Sequence, residues 1–210
     1  MSTKNRLIQN INNAFQGVKL DDGIGLWEGQ GHDDRLTIEE CKKLREKDEK
    51  EDWSKVPVID LYKCSSSLSF FDAKGMLFHL PIFLLFALDL FEKEEDELHS
   101  KGLVDCYSAP DVEFHLLSGL RYLKSKDEMG KSMREYDNER FSLFNSSQIG
   151  CIIEFLKFRM KEKEGYYDSE YAKKCGTSPS AVKYDKDYIQ LEKGIEYWKE
   201  KLTTANTVYK

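Results

Sequence analysis

The densest hydrophobic segment of the chain runs from residue 68 to 90, where apolar residues crowd onto more than one helical face. In a soluble protein such a segment has to be covered by neighbouring elements. Asp72 can cap the start of this helix, and Pro81 predicts a kink because it removes one backbone donor. The apolar run is about 16 residues long and includes His79, whereas a membrane span needs roughly 20 apolar residues. We expect a buried, kinked helix at the centre of the fold.

Apolar residues at intervals of three and four predict further helices around this segment. Capping residues and prolines mark where several of them begin. The predicted helices are a short one that begins after the possible caps Ser2 and Thr3 and ends near Gly17, one from about Ile38, one over 111–123, one from about Asn145, and a long one after Ser178. We therefore predict a mainly α protein, a single-domain irregular helical bundle around the Pro-kinked helix. Residues 1–165 would form the helical core domain, and 166–210 a linker and a long C-terminal helix packing on the core.

Three polar stretches lack a hydrophobic stripe. The stretch 18–34 is rich in glycine and is expected to be a long irregular loop. The sequence REKDEKED at 45–52 is expected to face water, and 124–140 to be an exposed loop without core anchors. None of the three is predicted to contribute to the core.

Composition narrows the classes of partner and the compartment. Charged residues make up 33% of the chain and the formal net charge is −6, without the clustered Lys and Arg that nucleic-acid binding needs. A net charge of this size is ordinary for a cytosolic protein, and it is also compatible with steering toward a basic partner. Five scattered cysteines without a C-x-x-C pair, together with a polar N-terminus, predict reduced thiols and a cytoplasmic protein. No membrane, nucleic-acid or cofactor association is predicted, and the oligomeric state is left open.

The sequence offers few residues that could form a catalytic or metal-binding site. The chain has no Ser-His-Asp order, no G-x-S-x-G elbow and no H-E-x-x-H helix, and its glycine pattern lacks the Lys-Ser/Thr of a phosphate-binding loop. His79 is either a buried histidine hydrogen-bonded to a carbonyl freed by Pro81 or a general base. The carboxylates and the imidazole gathered between residues 21 and 34 could supply hard metal ligands. The acidic and histidine residues of that stretch are Asp21, Asp22, Glu28, His32, Asp33 and Asp34.

Three segments together resemble a family of small bacterial cytoplasmic proteins known as a domain of unknown function. Its pattern is a Trp before an Ile/Val-Pro, a phenylalanine-containing segment leading into a Gly and a Leu-Pro-x-Phe helix, and a later Phe and Gln that open another helix. The resemblance covers residues 5 to 160 and implies no catalytic residues. The matching residues are Trp53, Pro57, Phe70, Phe71, Asp72, Gly75, Phe78, Leu80, Pro81, Phe83, Phe141 and Gln148.

Two functions from different classes follow. The first is a non-catalytic protein-binding role, such as a toxin immunity or accessory protein, because tyrosine and tryptophan are abundant and a catalytic set is missing. The alternative is a metal-dependent hydrolase that uses the 21–34 acidic and histidine loop. No metal-ligand set is assigned. The predicted binding residues are Trp27, Glu28, His32, Asp33, Asp34 and His79.

Overall fold

The computed structural model describes residues 2–105, 109–121 and 132–208. Over these residues the protein is mainly α-helical, contains no β-strand and ends in a long helix, as predicted. The α-helices are α1 (Thr3–Ala14), α2 (Leu26–Asp33), α3 (Ile38–Arg45), α4 (Val58–Lys63), α5 (Ala73–Phe86), α6 (Glu92–Ser100), α7 (Val112–Arg121), α8 (Met133–Arg140), α9 (Ser146–Asp168), α10 (Glu170–Lys174) and α11 (Lys186–Val208). Short 3₁₀ helices lie at Trp53–Lys55, Ser67–Ser69 and Pro179–Tyr184. Along these described ranges no helix combines the length and apolar composition that crossing a membrane requires.

The chain forms two compact units. The central unit is Ile11–Phe144, and the terminal unit combines Met1–Asn10 with Asn145–Lys210. The terminal unit therefore takes in the first residues of α1 together with α9, α10 and α11. The division into domains at residue 165 stays a prediction.

Helix α5 dominates the core of the central unit. Every residue from Phe78 to Phe86 is buried, and burying one large apolar side chain contributes about 1.5–3 kcal/mol. The helix begins where predicted, because the carboxylate of Asp72 accepts a hydrogen bond from the amide of Gly75 at 2.8 Å. Pro81 lies inside the helix, and the kink stays a prediction.

Two stretches expected to be irregular contain helices. The loop prediction over 18–34 is wrong for residues 26–33, which form α2. The exposed-loop prediction over 124–140 is wrong for its last part, α8, which starts at a capping box of Ser132 and Glu135. Residues 124–131 of that prediction lie outside the described residues.

The terminal unit is built on two long helices that pack along each other, α9 and α11. Trp198 on α11 is completely buried, as are Phe155 and Leu156 on α9. The sequence pattern places the start of the last helix directly after Ser178. In the structure a 3₁₀ helix follows Ser178, and α11 starts only at Lys186.

Helix α8 contains an ion pair that is buried inside the central unit. The side chains of Asp137 and Arg140 are 0% and 4% exposed, and Arg140 Nη2 donates to Asp137 Oδ1 at 2.7 Å. Ser118 of α7 donates its hydroxyl to the same carboxylate at 3.0 Å. Arg140 Nη1 donates to the Leu68 carbonyl at 3.0 Å. This network ties α7 and α8 to the segment before α5 and explains why a polar sequence is helical here.

Replacing Arg140 with methionine is expected to destabilise the protein strongly. The substitution keeps much of the side-chain volume but leaves the carboxylate of Asp137 buried without its cation, which typically costs about 3–5 kcal/mol. The free energy of unfolding in urea measures the effect. The control is Lys101→Met, which breaks an exposed ion pair with Glu97 and should change stability little. Equal, small effects of both substitutions would contradict the structural role of the buried pair.

Candidate functional site

Helix α2 starts at a glycine, so its own N-cap side chain cannot satisfy the first backbone amides. Asp48 lies outside the helix, is only 7% exposed, and supplies the missing cap. Its carboxylate accepts hydrogen bonds from the amides of Trp27 at 2.7 Å and Glu28 at 3.4 Å. A Cβ added to Gly25 would lie 1.9 Å from Asp48 Oδ2, so the close approach of the carboxylate requires glycine at this position.

Arg45, the last residue of α3, donates hydrogen bonds to the loop that precedes α2. Its guanidinium is paired with Glu28 at 2.8 Å, and both side chains are largely buried, at 20% and 16% exposure. The same guanidinium donates to the carbonyl of Gly23, and through Nη2 to the carbonyl of Asp21 at 2.7 Å. One arginine therefore holds both the helix and the loop that leads into it.

Trp27 is half-buried and held at both ends. Its indole Nε1 donates to the carboxylate of Asp60 at 3.1 Å. The ammonium of Lys47 lies 4.7 Å from the ring centroid, within the range of a cation–π interaction. The indole thus helps to position α2 and offers only part of its surface to a ligand.

Burial raises the pKa of Asp48 to about 6. The amides of Trp27 and Glu28 and the positive charge of Arg45 act in the opposite direction, because they favour the ionised carboxylate. Desolvation outweighs them. The cap of α2 therefore titrates much closer to neutral pH than an ordinary aspartate.

The turn between α2 and α3 forms an exposed surface. All nine residues from 32 to 40 are exposed; we call this segment the α2–α3 turn. His32 stacks on the ring of Phe70 with centroids 6.4 Å apart. Thr37 and Glu40 form the predicted capping box of α3, with the Thr37 hydroxyl accepting from the Glu40 amide at 3.3 Å. The turn is exposed but tied to the fold at its start and within α3.

Helices α2 and α3 meet closely beneath this turn. A Cβ on Gly31 would lie 2.8 Å from Leu44 Cδ1 and 3.1 Å from Cys41 Sγ. Cys41 itself is 2% exposed. The turn therefore stands on a tightly packed helix pair.

A family model described as "Family of unknown function (DUF6714)" matches residues 3–202 of the chain. The chain belongs to the DUF6714 family. No curated protein and no solved structure matches it in the comparisons. The family assignment carries no activity, so function has to be argued from the geometry of this DUF6714 protein.

The structure brings most of the predicted binding residues to α2, in two groups. Trp27 and Glu28 belong to the partly buried network at the start of the helix, and His32, Asp33 and Asp34 belong to the exposed α2–α3 turn. Whether any of them binds a ligand stays a prediction for this DUF6714 chain.

His79 lies apart from these residues, in the core. It is 0% exposed, and its ring lies flat against Phe71 with centroids 4.5 Å apart. Nδ1 lies 2.9 Å from the carbonyl of Gly75, so this nitrogen carries the proton. The acceptor is thus a carbonyl other than that of Leu77, which Pro81 deprives of its donor. Burial lowers the pKa of His79 to about 4, so the ring is neutral at pH 7.

The acidic residues between 21 and 34 do not converge. Asp22 is paired with Lys74, Glu28 with Arg45, and Asp34 accepts from the side chain of Gln30 at 3.1 Å. Over the ranges that the structure describes, no group of three or more His, Cys, Asp or Glu residues is arranged to hold a metal ion. The absence of a cofactor stays a prediction.

Asp48, Arg45 and Asp60 were missed as members of the site. Arg45 and Asp48 lie in the polar stretch 45–52, and the expectation that this stretch faces water is wrong for the buried Asp48. Asp60 lies between the apolar residues Ile59 and Leu61. Their partners are 17 to 33 residues away in sequence. No local signal pointed to them, because the helix that Asp48 caps was itself predicted to be part of a loop.

The substitution Asp48→Asn tests the protonation of this cap. The folded-state pKa of about 6 lies above the ordinary value of 3.8, so folding takes up a proton at Asp48 between these pH values. The stability of the wild type relative to Asp48→Asn should therefore increase by roughly 2.5 kcal/mol as the pH falls from 7 to 4. Urea unfolding of both proteins across this range measures the difference.

Asp52→Asn serves as the control for this experiment. Hydrogen bonds from Ser54 hold the pKa of Asp52 below its usual value, so its difference curve should slope in the opposite direction. A stability difference between wild type and Asp48→Asn that stays constant with pH would contradict the assignment.

Proposed function

We propose that this protein binds another protein through the α2–α3 turn and has a non-catalytic role, such as a toxin immunity or accessory protein of the bacterial cytoplasm. One observation carries the proposal. The fold exposes nine consecutive residues, including Leu36 at 38% and Ile38 at 71% exposure, on top of a closely packed helix pair. A fixed surface of this kind binds with a smaller loss of conformational entropy than a mobile loop.

The chemistry of the turn resembles that of a protein interface. Its two exposed apolar side chains, Leu36 and Ile38, stand among acidic residues, and interfaces commonly surround an apolar centre with a polar rim. Among the described residues, the side chains of Asp33 and Glu39 make no hydrogen bond or ion pair. Their carboxylates are therefore available to basic groups of a partner.

The charge of the central unit favours a basic partner. Residues 11–144 contain 18 Lys and Arg against 28 Asp and Glu, a formal net charge of −10. Such a field speeds association with a positively charged protein and weakens with salt. It also opposes binding to nucleic acid, whose phosphates are negative.

The cysteines support a reducing compartment. Cys41, Cys64 and Cys151 are free and buried, and Cys175 is free and exposed. Burial raises the pKa of Cys64 to about 12 and that of Cys151 to about 11, so both stay protonated thiols. Free thiols of this kind are typical of cytoplasmic proteins. No specific observation favours the metal-dependent hydrolase, because within the described residues the acidic and histidine side chains of the 21–34 stretch do not come together as a group that could hold a metal ion.

A partner captured from the native cell extract and then purified allows the surface to be tested. Ile38→Ser should raise the Kd for that partner about tenfold or more, since truncating a central apolar contact commonly costs over 1 kcal/mol. The double variant Asp33→Asn/Glu39→Gln should lower the association rate and reduce its dependence on salt. Calorimetry and stopped-flow fluorescence measure the two effects.

The matched control is Leu103→Ser, which removes a leucine 53% exposed elsewhere in the central unit. It should leave both the Kd and the association rate unchanged. Failure to capture any partner, or a partner that binds Ile38→Ser as tightly as the wild type, would reject the proposal.

A further inference from the structure

The terminal unit contains a groove that the proposed function does not use. It lies between the first part of α1 and the face of α9 that runs from residue 154 to 164, and its volume is about 350 Å³. Small-molecule sites in proteins commonly have volumes of about 300–1,000 Å³. The groove is therefore large enough for a small organic ligand.

Three of the side chains that line the groove are apolar. Leu7 of α1 is 2% exposed, and Phe158 and Met160 of α9 are half-buried. These three side chains offer contact to a hydrocarbon body. A water-sized group takes about 30 Å³, so the volume suits a chain of roughly ten carbon atoms.

The rim of the groove carries three cations. Arg6, Lys157 and Lys161 all line it and are exposed. Although the backbone amide of Arg6 donates to the carbonyl of Ser2, none of the three side chains makes a hydrogen bond or ion pair with another described residue. Lys157 and Lys161 are four positions apart on α9, a spacing at which like charges on a helix repel each other. An anion placed between them would remove that repulsion.

Two carboxylates also line the groove, so its five charged side chains carry a formal net charge of +1. Glu154 accepts a hydrogen bond from the side-chain amide of Asn10 at 2.9 Å, and Glu164 accepts one from the hydroxyl of Tyr188 at 2.8 Å. Other lysines of the same unit are paired, such as Lys173 with Glu170 at 3.2 Å. Lysines without a side-chain partner among the described residues also occur outside the groove, at Lys174, Lys186 and Lys193, so what distinguishes the groove is that three such cations line it together.

The net charge of the terminal unit is positive, as is that of the groove. The terminal unit contains 14 Lys and Arg against 10 Asp and Glu, a formal net charge of +4, although the chain as a whole carries −6. Its field attracts anions toward the groove.

We infer that the groove between α1 and α9 binds an amphipathic carboxylate, a medium-chain acyl anion whose carboxylate lies among Arg6, Lys157 and Lys161 and whose chain lies along Leu7, Phe158 and Met160. This site is independent of the α2–α3 turn and of any protein partner there. Its ligand is a free medium-chain acid. An anionic phospholipid differs, because its acyl chains are esters and its negative charge is on the phosphate.

Titration of the full chain with sodium decanoate, followed by two-dimensional amide NMR, tests the inference. Saturable shifts are expected at residues of α1 and α9, with a Kd below about 1 mM. Decanol, which lacks the charge, should bind at least tenfold more weakly, and decyltrimethylammonium should not bind in the groove. Equal binding of all three compounds would show a non-specific apolar contact and overturn the inference.

Charge-matched variants localise the site. Lys157→Gln/Lys161→Gln should raise the Kd for decanoate at least tenfold. Lys173→Gln/Lys199→Gln, which removes two paired lysines from the same unit, should change it less than twofold. All four positions are exposed, so the variants are expected to fold, and circular dichroism checks this. Equal losses in both variants would indicate general electrostatic attraction and reject the site.

Vesicles of a phosphatidylglycerol and phosphatidylcholine mixture distinguish a free acid from an anionic phospholipid. Binding of free decanoate without binding of vesicles assigns the groove to a soluble acid, and binding of both extends the assignment to a lipid whose phosphate takes the place of the carboxylate. Binding of vesicles alone, or no saturable shift with decanoate at 10 times the expected Kd, would overturn the inference.

Discussion

The site of the central unit depends on one hydrogen-bonded contact, the carboxylate of Asp48 at the N-terminus of α2. Helix α2 has eight residues, two of which are the glycines Gly29 and Gly31, so its intrinsic stability is low. Its first amides are buried beside Gly25, and unpaired buried amides cost about 1–3 kcal/mol each. By accepting from Trp27 and Glu28, Asp48 makes this short helix possible and thereby places the α2–α3 turn.

Buried charged side chains occur at more than one place in the central unit. Asp48 at the start of α2 and the Asp137–Arg140 pair in α8 both lie inside segments that are polar in sequence. Each is satisfied by partners from other elements, as buried charges require. The buried histidines His79 and His115 carry no charge and are present as neutral imidazole rings. Burial lowers the pKa of His79 to about 4, and burial together with Arg140 lowers that of His115 to about 3.

Periodicity and capping residues were enough to predict the helices whose stability is local. The capping box at Thr37, the Asp72 cap of α5 and the Asn145 cap of α9 all appear where the sequence places them. Helix α2 could not be predicted in this way, because its cap comes from Asp48, 20 or more residues away. Helix α8 was also missed, since its charged pair looks solvated until α7 and Leu68 supply its partners.

The candidate site was predicted in part for the same reason. The composition of residues 27–34 pointed to α2, but the difference between the buried network at its start and the exposed turn at its end depends on tertiary contacts. His79 was predicted to be either buried or catalytic, and its enclosure by Phe71 and Phe78 favours the first. The groove of the terminal unit could not be foreseen, because it combines two helices more than 140 residues apart in sequence.

The central claim is that the α2–α3 turn is an ordered surface and not a mobile loop. Backbone ¹⁵N relaxation of residues 32–40 tests it most directly. Order parameters of about 0.85, equal to those of α3 and α5, are predicted. Values below about 0.6 across the turn would contradict the account.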